Sequence, residues 1–486
     1  MDTFTCTTRP EQATVPLARP EPPRGRPRAH LALALAALAV LAAALPADGL
    51  HWRGAVVLAV FTGAVGAWVF TKVDDTWVAL VAVSLLAASG AVEADEVFAT
   101  LGADLVWLLI AAFVLAAGLT RSGLVERFTA ALLNRARTPR QLAHLTTLAL
   151  VGSSLAVPST SGRAALALPV FTSLAKAVDP RLAKALSLLF PTVVLLSAVS
   201  TLIGAGAHLI ADQLLADATG SGIGFLHWLL LGLPLAVLSC HLAAELTLLL
   251  FTRRRDRKTR LSLDLPTPPK AWTAPEKQAA ATTAAVLALW CTEPLHGAPP
   301  ALVGLLGALV ITVPPHGEHR VSPGAALKTV PWSLLLFTAA TAALGDALVT
   351  TGAAQWLADH ALAPLEHASP EHFLIAVVLV GTAAHLAVQS RSARSSVLVP
   401  VVIPLALAAG VNPALAVFAS TAAAGFCHTL TSSAKPVALF ADVEGVPTYS
   451  ARDLLRLSAA LAPLHVAVVS AFALLVWPAT GLPTSL

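Results

Sequence analysis

The chain has 486 residues, of which 56% are hydrophobic and 12% are charged, and its formal net charge is +4. Surface-to-volume scaling leaves a soluble protein of this length too little interior to bury so much apolar surface. The composition therefore excludes a soluble globular protein and predicts an all-α protein that crosses a membrane many times. The cations lie in loops beside apolar segments, so no nucleic acid partner is expected. The four cysteines lack pairing or metal-ligand spacing, so neither a metal nor a cofactor is predicted.

The chain begins with a Pro- and Arg-rich stretch, residues 1–29, which is too long and polar for the charged segment of a signal peptide. We interpret it as a disordered cytoplasmic tail. Apolar runs follow at 30–45, 54–71, 77–93 and 104–120, and their lengths match a hydrocarbon core of about 30 Å. A basic, amphipathic arm then extends to about residue 142.

The most informative stretch is Ser159-Thr160-Ser161-Gly162-Arg163, and a similar one, Ser390-Arg391-Ser392-Ala393-Arg394, begins 231 residues later. Each lies between two apolar pieces that are too short to span a bilayer, and an apolar run to a proline follows each. These pieces predict two re-entrant hairpins, at 143–175 and 373–409. A broken, hydroxyl-rich and positively charged turn inside a membrane is typical of a binding site.

Two further landmarks recur at nearly the same spacing: Ser200-Thr201 corresponds to His428-Thr429 at an offset of 228, and Ser122-Gly123 to Thr351-Gly352 at 229. A constant offset indicates an internal duplication. We therefore predict a first half at 30–251, a basic cytoplasmic loop at 252–276 and a second half at 277–480. The distribution of Lys and Arg places the N-terminus in the cytoplasm and the C-terminus outside, with about eleven transmembrane helices and the two hairpins entering from opposite sides of the cell membrane. This is an inverted repeat, in which substrate sites lie between the two halves.

The two motifs predict an anion site. Ser159 and Ser390 precede helical runs and are candidate N-caps, so both helices would direct free N–H groups and positive dipole ends at the turns. An arginine at the bilayer centre costs about 2.5–3.5 kcal/mol, so the arginines of the motifs must face protein, water or an anion. Their planar forks suit carboxylates. The predicted substrate-binding residues are Ser159, Thr160, Ser161, Arg163, Ser390, Arg391, Ser392 and Arg394.

A second group of residues is predicted to act in ion coupling or as counter-ions. Asp346, in the span before the second hairpin, is either the structural ion-pair partner of the arginines or a proton carrier. The others lie where the apolar spans at 185–216 and 413–441 are interrupted, and breaks of this kind are tolerated only beside protein or a cavity. They are His208, Lys435, Thr201 and Thr429.

The chain resembles the divalent anion–sodium symporter family of the ion transporter superfamily, which carries dicarboxylates, citrate or sulfate. In that family each hairpin turn is Ser-Asn-Thr followed by small residues and an apolar run to Pro. Supporting matches are LALWCTEPLHGAPPALVGLLGALV (287–310), IGFLHWLLLGLPLAV (223–237) and LVWLLIAAFVLAAGLTRSGLVERF (105–128). The resemblance implies a scaffold domain and a moving transport domain that holds the hairpins, working as an elevator in a homodimer.

The motifs also depart from the family pattern, because neither contains the asparagine that helps to build sodium sites in sodium-coupled members. The only asparagines are Asn134 and Asn412. Fixed cations lie near the position that sodium would occupy, and they can neutralise an anion but cannot be released with it. We therefore expect sodium coupling to be weak or absent, and either anion exchange or proton coupling in its place.

Three alternatives remain open from the sequence. A cation/proton antiporter or an oxyanion efflux permease of the same superfamily would share the fold, although an antiporter requires carboxylates at the midplane. An intramembrane enzyme would need a nucleophile with a base or metal ligands at helical spacing, and the sequence contains no Gly-x-Ser-x-Gly, His-Glu-x-x-His or Cys-x-x-Cys motif. A transporter, and not an enzyme, is the prediction.

Overall fold

A computed structural model describes residues 49–71, 73–261, 271–313, 323–361, 369–431 and 433–485. The predicted tail at 1–29 and the apolar run at 30–45 lie outside the described residues. Within them, the chain is helical, with an isolated bridge between Val411 and Ser485 and no β-strand. The all-α prediction is therefore confirmed.

The first half contains ten described helices, and its predicted apolar runs from 54 onward all coincide with helices. The helix that ends at Leu196 is followed by two short 3-10 turns before the chain becomes α-helical again at Gly206. The helices are α1 Trp52–Phe70, α2 Asp75–Ala88, α3 Ala94–Ala99, α4 Asp104–Ser122, α5 Leu124–Leu133, α6 Pro139–Ser153, α7 Thr160–Ala177, α8 Pro180–Leu196, α9 Gly206–Thr219 and α10 Phe225–Phe251.

The second half follows the same order, with the corresponding helix pairs at the second motif and at the second interrupted span. Its described helices are α11 Ala274–Cys291, α12 Glu293–His296, α13 Pro300–Thr312, α14 Pro323–Leu327, α15 Trp332–Thr350, α16 Ala353–Ala361, α17 Pro370–Ala383, α18 Arg391–Ala408, α19 Pro413–Ala423, α20 Lys435–Ala441 and α21 Ala451–Ala471.

Seven helical segments of the described chain are long and apolar enough to cross a membrane: Trp52–Phe70, Ala94–Ser122, Pro180–Ser200, Phe225–Phe251, Trp332–Thr350, Arg391–Ala408 and Ala451–Val476. Four shorter apolar helices accompany them. The molecule is thus a multi-pass helical membrane protein, while the count of about eleven spans and the orientation of the termini stay predictions.

Local sequence explains where several helices begin. Thr273 accepts a hydrogen bond from the backbone N–H of Glu276, whose carboxylate accepts one from the N–H of Thr273, and this reciprocal pair satisfies two free donors at the start of α11. Ser450 and Asp453 repeat the arrangement at α21. Proline in the first turn starts α6, α8, α13, α17 and α19, because its fixed φ suits that position.

The helices pack around two hydrophobic cores, and one hairpin motif lies in each. One core contains α6, α7 and α8 with α20 and the first part of α21, and the other contains α1, α2, α4, α9, α15 and α17 to α19. In this packing α7 contacts α20, and α18 contacts α9. The helix that begins at each motif therefore packs on the short helix that follows the interrupted span, or break, of the other half. This packing brings each motif close to the break of the other half.

Candidate functional site at the two motif turns

Each motif begins a helix, as the sequence predicts. The Ser159 hydroxyl oxygen accepts a hydrogen bond from the backbone N–H of Gly162 at 3.2 Å, and α7 starts at Thr160. The Ser390 hydroxyl oxygen accepts one from the N–H of Ala393 at 3.3 Å, and α18 starts at Arg391. Both serines are confirmed as N-caps, so two positive helix ends face the turns.

The other hydroxyl-bearing side chains of the two motifs are only partly buried. Thr160, Ser161 and Ser392 are half-buried, and their hydroxyls make no hydrogen bond to the part of the protein that the structure describes. Ser392 lies beside the start of α9, since a Cβ added to Gly206 would meet the Ser392 hydroxyl at 3.6 Å. The second motif and the first break are therefore neighbours.

In each half, side chains of the break form hydrogen bonds with the segment that precedes the motif of the same half. The Thr201 hydroxyl donates to the carbonyl of Ser154 at 3.2 Å, and the hydroxyls of Ser154 and Ser200 lie 2.6 Å apart. In the second half, the Thr429 hydroxyl bonds the Nε2 atom of His385 at 2.7 Å. The predicted coupling residues Thr201 and Thr429 thus have corresponding structural positions.

Backbone conformation supports the duplication. The residue before α9 is Ala205 (φ −156°, ψ 149°), and the residue before α20, Ala434, has φ −157° and ψ 146°. Gly123 and Gly352, the second landmark pair, have φ of 76° and 74° in the left-handed region that favours glycine. The extended pair and the left-handed pair are each separated by 229 residues, and a repeated conformation at one spacing is expected of a duplicated unit.

Arg163 and Arg394 are buried, at 1% and 0% exposure, and hold corresponding groups in the two halves. Arg163 donates to the carbonyl of Val194 at 2.9 Å and to the hydroxyl of Ser197 at 2.8 Å. Arg394 donates to the carbonyl of Phe426 at 3.2 Å and to the Sγ atom of Cys427 at 2.5 Å. Each guanidinium therefore stabilises the end of the helix that precedes the break of its own half, where backbone carbonyls lack helical partners.

Arg391 makes a different connection, because its Nη2 atom joins the two halves. It donates to the carbonyl of Leu195, at the end of α8, at 3.0 Å, and to the carbonyl of Gly425, after α19, at 2.7 Å. Its Nη1 atom is inaccessible to solvent and has no hydrogen-bond partner among the described residues. Of the three arginines, Arg391 is the one that is half-buried and the one with a terminal nitrogen that lacks a hydrogen-bond partner of good geometry among the described residues.

The prediction that Asp346 pairs with these arginines is wrong. Asp346 is exposed and lines a separate cavity of about 300 Å³ with Glu96 and Asp217. The arginine guanidiniums are already bonded to helix-end carbonyls, so they need no carboxylate. The five ion pairs among the described residues include neither Asp346 nor any arginine of the motifs. A role for Asp346 as a proton carrier stays a prediction.

The two other cations predicted near the site differ in their surroundings. His208 is buried, its Nδ1 atom lies 3.0 Å from the carbonyl of Thr201, and its ring stacks on Trp228 at a centroid distance of 5.3 Å. It therefore helps to hold the first break. Lys435 is exposed at the first residue of α20.

One residue near the second motif was not predicted from the sequence. Asp75, at the start of α2, lies near enough to Ser390 and Lys435 for an electrostatic interaction with both. The sequence offered a signal, since Asp74 and Asp75 are adjacent carboxylates between two apolar runs. Nothing in the sequence indicated that α2 would reach a motif more than 300 residues away.

Comparisons with known proteins agree with this architecture. A family model described as citrate transporter (CitMHS) matches residues 65–423. A protein of Cupriavidus necator named "Membrane protein" is 25% identical over 475 residues, covering 91% of each chain. The sodium-dependent dicarboxylate transporter SdcS of Staphylococcus saprophyticus is 22% identical over 424 residues, covering 81% of this chain and 80% of SdcS.

Solved structures show the same fold. The YdaH transporter of Alcanivorax borkumensis matches with a TM-score of 0.55 and 17% identity over 81% of this chain and 91% of that one. MtrF of Neisseria gonorrhoeae, described as one of a class of antimetabolite efflux pumps, matches with a TM-score of 0.56 and 13% identity over 92% and 99%. The family model covers most of the sequence, and the resemblance drawn from the two motifs is confirmed. The chain belongs to the citrate transporter family and is a membrane transporter of the anion-carrying superfamily that its paired motifs predict.

Proposed function

We propose that this protein is a secondary active transporter of a small di- or trivalent anion, a dicarboxylate, citrate or sulfate. The observation that carries the proposal is that one arginine from each serine-capped helix bonds the same helix end: Arg391 of α18 donates to the carbonyl of Leu195, and Arg163 of α7 donates to the carbonyl of Val194. Helix N-termini and guanidinium groups both stabilise anions, and the site holds no compensating carboxylate in ion-pair contact with an arginine within the described chain.

The substrate contacts divide among the motif residues. The hydroxyls of Thr160, Ser161 and Ser392, which have no hydrogen-bond partner in the described part of the chain, donate to carboxylate or sulfate oxygens. The backbone N–H groups at the two capped helix ends supply further donors. The Nη1 atom of Arg391, which has no hydrogen-bond partner of good geometry among the described residues, donates to the same anion. Arg163 and Arg394 are too deeply committed to helix-end carbonyls to bind it directly, and they supply fixed positive charge behind the site.

Transport proceeds without sodium in this proposal. The Val194 and Phe426 carbonyls that end the two broken helices are bonded to guanidinium groups, which occupy them as a metal cation otherwise could. Because a guanidinium cannot leave with the substrate, the charge that balances the anion stays in the protein. The cycle therefore requires either the return of another anion or the movement of protons with the substrate.

By resemblance to the family, the motifs move together as an elevator within a homodimer in the cell membrane. Arg391 supports movement as one body, because its bonds to Leu195 and Gly425 tie the break of the first half to that of the second. Separating the two would leave buried carbonyls without partners, which costs about 1–3 kcal/mol for each group.

The decisive experiment measures uptake of labelled citrate, succinate and sulfate by liposomes that contain the purified protein. Each anion is tested with and without sodium, with an inward proton gradient, and with the same anion preloaded inside. Uptake that needs preloaded anion or a proton gradient, and is unchanged by sodium, is the expected result. Strong stimulation by sodium would overturn the sodium-independent mechanism, and the absence of uptake of all three anions would overturn anion transport.

A cation/proton antiporter is the second candidate, and the cavity lined by Glu96, Asp217 and Asp346 favours it because such proteins need carboxylates. The same liposomes distinguish the two functions. Release of internal protons on addition of external sodium or potassium, with no anion uptake, is the result that would support antiport.

A further inference from the structure

A small cavity lies between helix α5 of the basic arm and the first hairpin, and the proposed substrate contacts do not use it. Its volume is about 30 Å³, and most of its lining is apolar, from residues of α5, α6, α7 and α8. The lining side chains that carry polar groups are Glu126, Thr129, Thr146, Ser153 and Arg163. Two of them are buried and still lack a hydrogen-bond partner for one polar atom.

The hydroxyl of Thr146 is the first of these groups. Thr146 is 2% exposed, and its Oγ1 atom has no hydrogen-bond partner among the described residues. A threonine inside a helix commonly bonds a carbonyl one turn back, and the next residue, Thr147, does so with the carbonyl of Ala143 at 2.9 Å. Because a buried hydroxyl without a partner is costly, Thr146 indicates a ligand in the cavity.

Arg163 supplies the second group. Its two terminal nitrogens donate to Ser197 and Val194, but its Nε atom has no hydrogen-bond partner in the described chain. The side chain is 1% exposed, so solvent does not satisfy this N–H group. Nε is therefore the nitrogen of Arg163 that remains for a ligand, and both the N–H and the Thr146 hydroxyl can donate.

The other polar side chains of the lining make no demand on the buried part of the cavity. The Ser153 hydroxyl already donates to the carbonyl of Leu150 at 2.7 Å. Thr129 is half-buried and Glu126 is exposed, and Glu126 forms none of the ion pairs of the described residues. The carboxylate of Glu126 opposes an anion, but solvent and salt screen an exposed charge.

The charge at this place favours an anion over water. Arg163 bonds the carbonyl of Val194, and Arg391 bonds the carbonyl of the next residue, Leu195. Neither arginine takes part in an ion pair within the described part of the chain. The carbonyls satisfy the terminal nitrogens as acceptors, but they leave the net charge in place. Burying a charge is costly without an opposite charge, which an anion at Nε would supply.

The size of the cavity restricts the anion to a small one. A water-sized particle needs roughly 10–15 Å³, so a volume of about 30 Å³ admits one or two of them. A halide ion is little larger than a water molecule and fits, whereas citrate, succinate and sulfate do not. The largely apolar lining favours chloride or bromide over fluoride, because fluoride holds its hydration water more tightly.

The first half alone has this arrangement. Arg394 corresponds to Arg163, and its Nε atom also lacks a hydrogen-bond partner among the described residues. At the offsets of 228 to 231 that relate the two halves, however, Thr146 corresponds to the stretch 374–377, which is Leu-Ile-Ala-Val. The second half has no matching hydroxyl, so we expect one such site per chain.

We propose that this cavity binds one halide ion, chloride in the cell, through the Nε–H group of Arg163 and the hydroxyl of Thr146. The ion neutralises a buried arginine and holds α5 against the first hairpin. The site is separate from the proposed substrate site, and it stands whether or not the protein carries citrate.

The test measures the melting temperature of the purified protein in detergent while sodium gluconate is replaced by sodium chloride, bromide or fluoride at constant ionic strength. An ion that binds the folded protein alone raises the melting temperature with a saturating dependence on concentration. The variant is Thr146→Val, which removes the hydroxyl and keeps the branched shape. Thr147→Val makes the same change at the next residue, which is also buried but bonds its own helix, and is the matched control.

We expect chloride and bromide, but not fluoride, to raise the melting temperature of the wild type by about 2 °C or more. The half-saturating concentration should rise about tenfold or more in Thr146→Val and stay within about threefold in Thr147→Val. A wild-type melting temperature that does not respond to chloride would show that the cavity holds water and would overturn the inference. An unchanged halide response in Thr146→Val would overturn it too, because the halide would then bind elsewhere.

A second measurement covers the case in which Thr146→Val does not fold. In wild-type crystals soaked in bromide, an anomalous scattering peak beside Arg163 Nε and the Thr146 hydroxyl is expected, and no peak there would overturn the site. Glu126→Gln should retain the halide response of the wild type. A response that appears only in Glu126→Gln would identify this carboxylate as the counter-ion and refute the proposal. Failure of anion uptake in liposomes bears on the proposed function alone.

Discussion

The guanidinium of Arg391, in the second half of the chain, donates a hydrogen bond at 3.0 Å to the backbone carbonyl of Leu195, in the first half. The same nitrogen donates to Gly425 at 2.7 Å. A single side chain thus connects the ends of both broken helices. Its other terminal nitrogen has no hydrogen-bond partner within the described residues, and it is the nitrogen that the proposed anion would use.

Replacing Arg391 with lysine should impair transport more than stability. A lysine retains the charge but has a single nitrogen, so it cannot hold the two carbonyls with one nitrogen and direct another at the anion. We expect the KM for citrate uptake by liposomes to rise at least tenfold, which corresponds to about 1.4 kcal/mol of binding free energy. Arg121→Lys, at an exposed position at the end of α4, is the control and should leave the KM unchanged. An unchanged KM in Arg391→Lys would mean that Arg391 does not contact the substrate.

Arg163 and Arg394 should behave as stabilising residues. Arg163→Met and Arg394→Met each remove two charge-assisted donors and leave buried acceptors without partners. Hydrogen bonds to charged groups contribute about 1.5–3 kcal/mol. We therefore expect the free energy of unfolding of each variant to fall by about 2–4 kcal/mol, with a lower melting temperature in detergent. Arg181→Met, whose side chain is 52% exposed, is the control. A melting temperature equal to that of the wild type in both variants would show that the helix ends do not depend on these arginines.

Ser159 allows helix capping to be separated from anion binding. Aspartate caps a helix about as well as serine does, but its carboxylate would repel an anion at the turn. We therefore expect Ser159→Asp to have the melting temperature of the wild type and citrate uptake that is at least tenfold lower. Thr138→Asp places an aspartate at the N-cap of α6, away from the turns, and should retain uptake. Normal uptake by Ser159→Asp would place the anion elsewhere.

Gly204 should not tolerate even alanine. A Cβ at this position would lie 2.0 Å from the carbonyl oxygen of Ala198, and a backbone atom cannot move aside as a flexible side chain can. We expect Gly204→Ala to disturb the first break and lower the yield of folded protein severely, as judged by size-exclusion chromatography. Gly152→Ala, with no atom within 4 Å of the added group and a helical backbone, should be tolerated. Normal folding of Gly204→Ala would show that the break can shift.

The sequence by itself determined the all-α membrane fold, the boundaries of most helices and the two capped motif turns. These follow from apolar run length, from the proline and glycine positions and from serine preceding a helical run, all of which act over a few neighbouring residues. The internal repeat was also predicted from the sequence, because spacing is a property of the chain alone.

Only the tertiary structure decided the partners of the charged groups. Arg163 and Arg394 bond the carbonyls of helix ends, while Asp346 lines another cavity, and a pattern of residue types cannot distinguish a carbonyl partner from a carboxylate. Backbone carbonyls occur at every residue, so which of them lacks a partner is decided by how the helices break and pack, not by the local sequence.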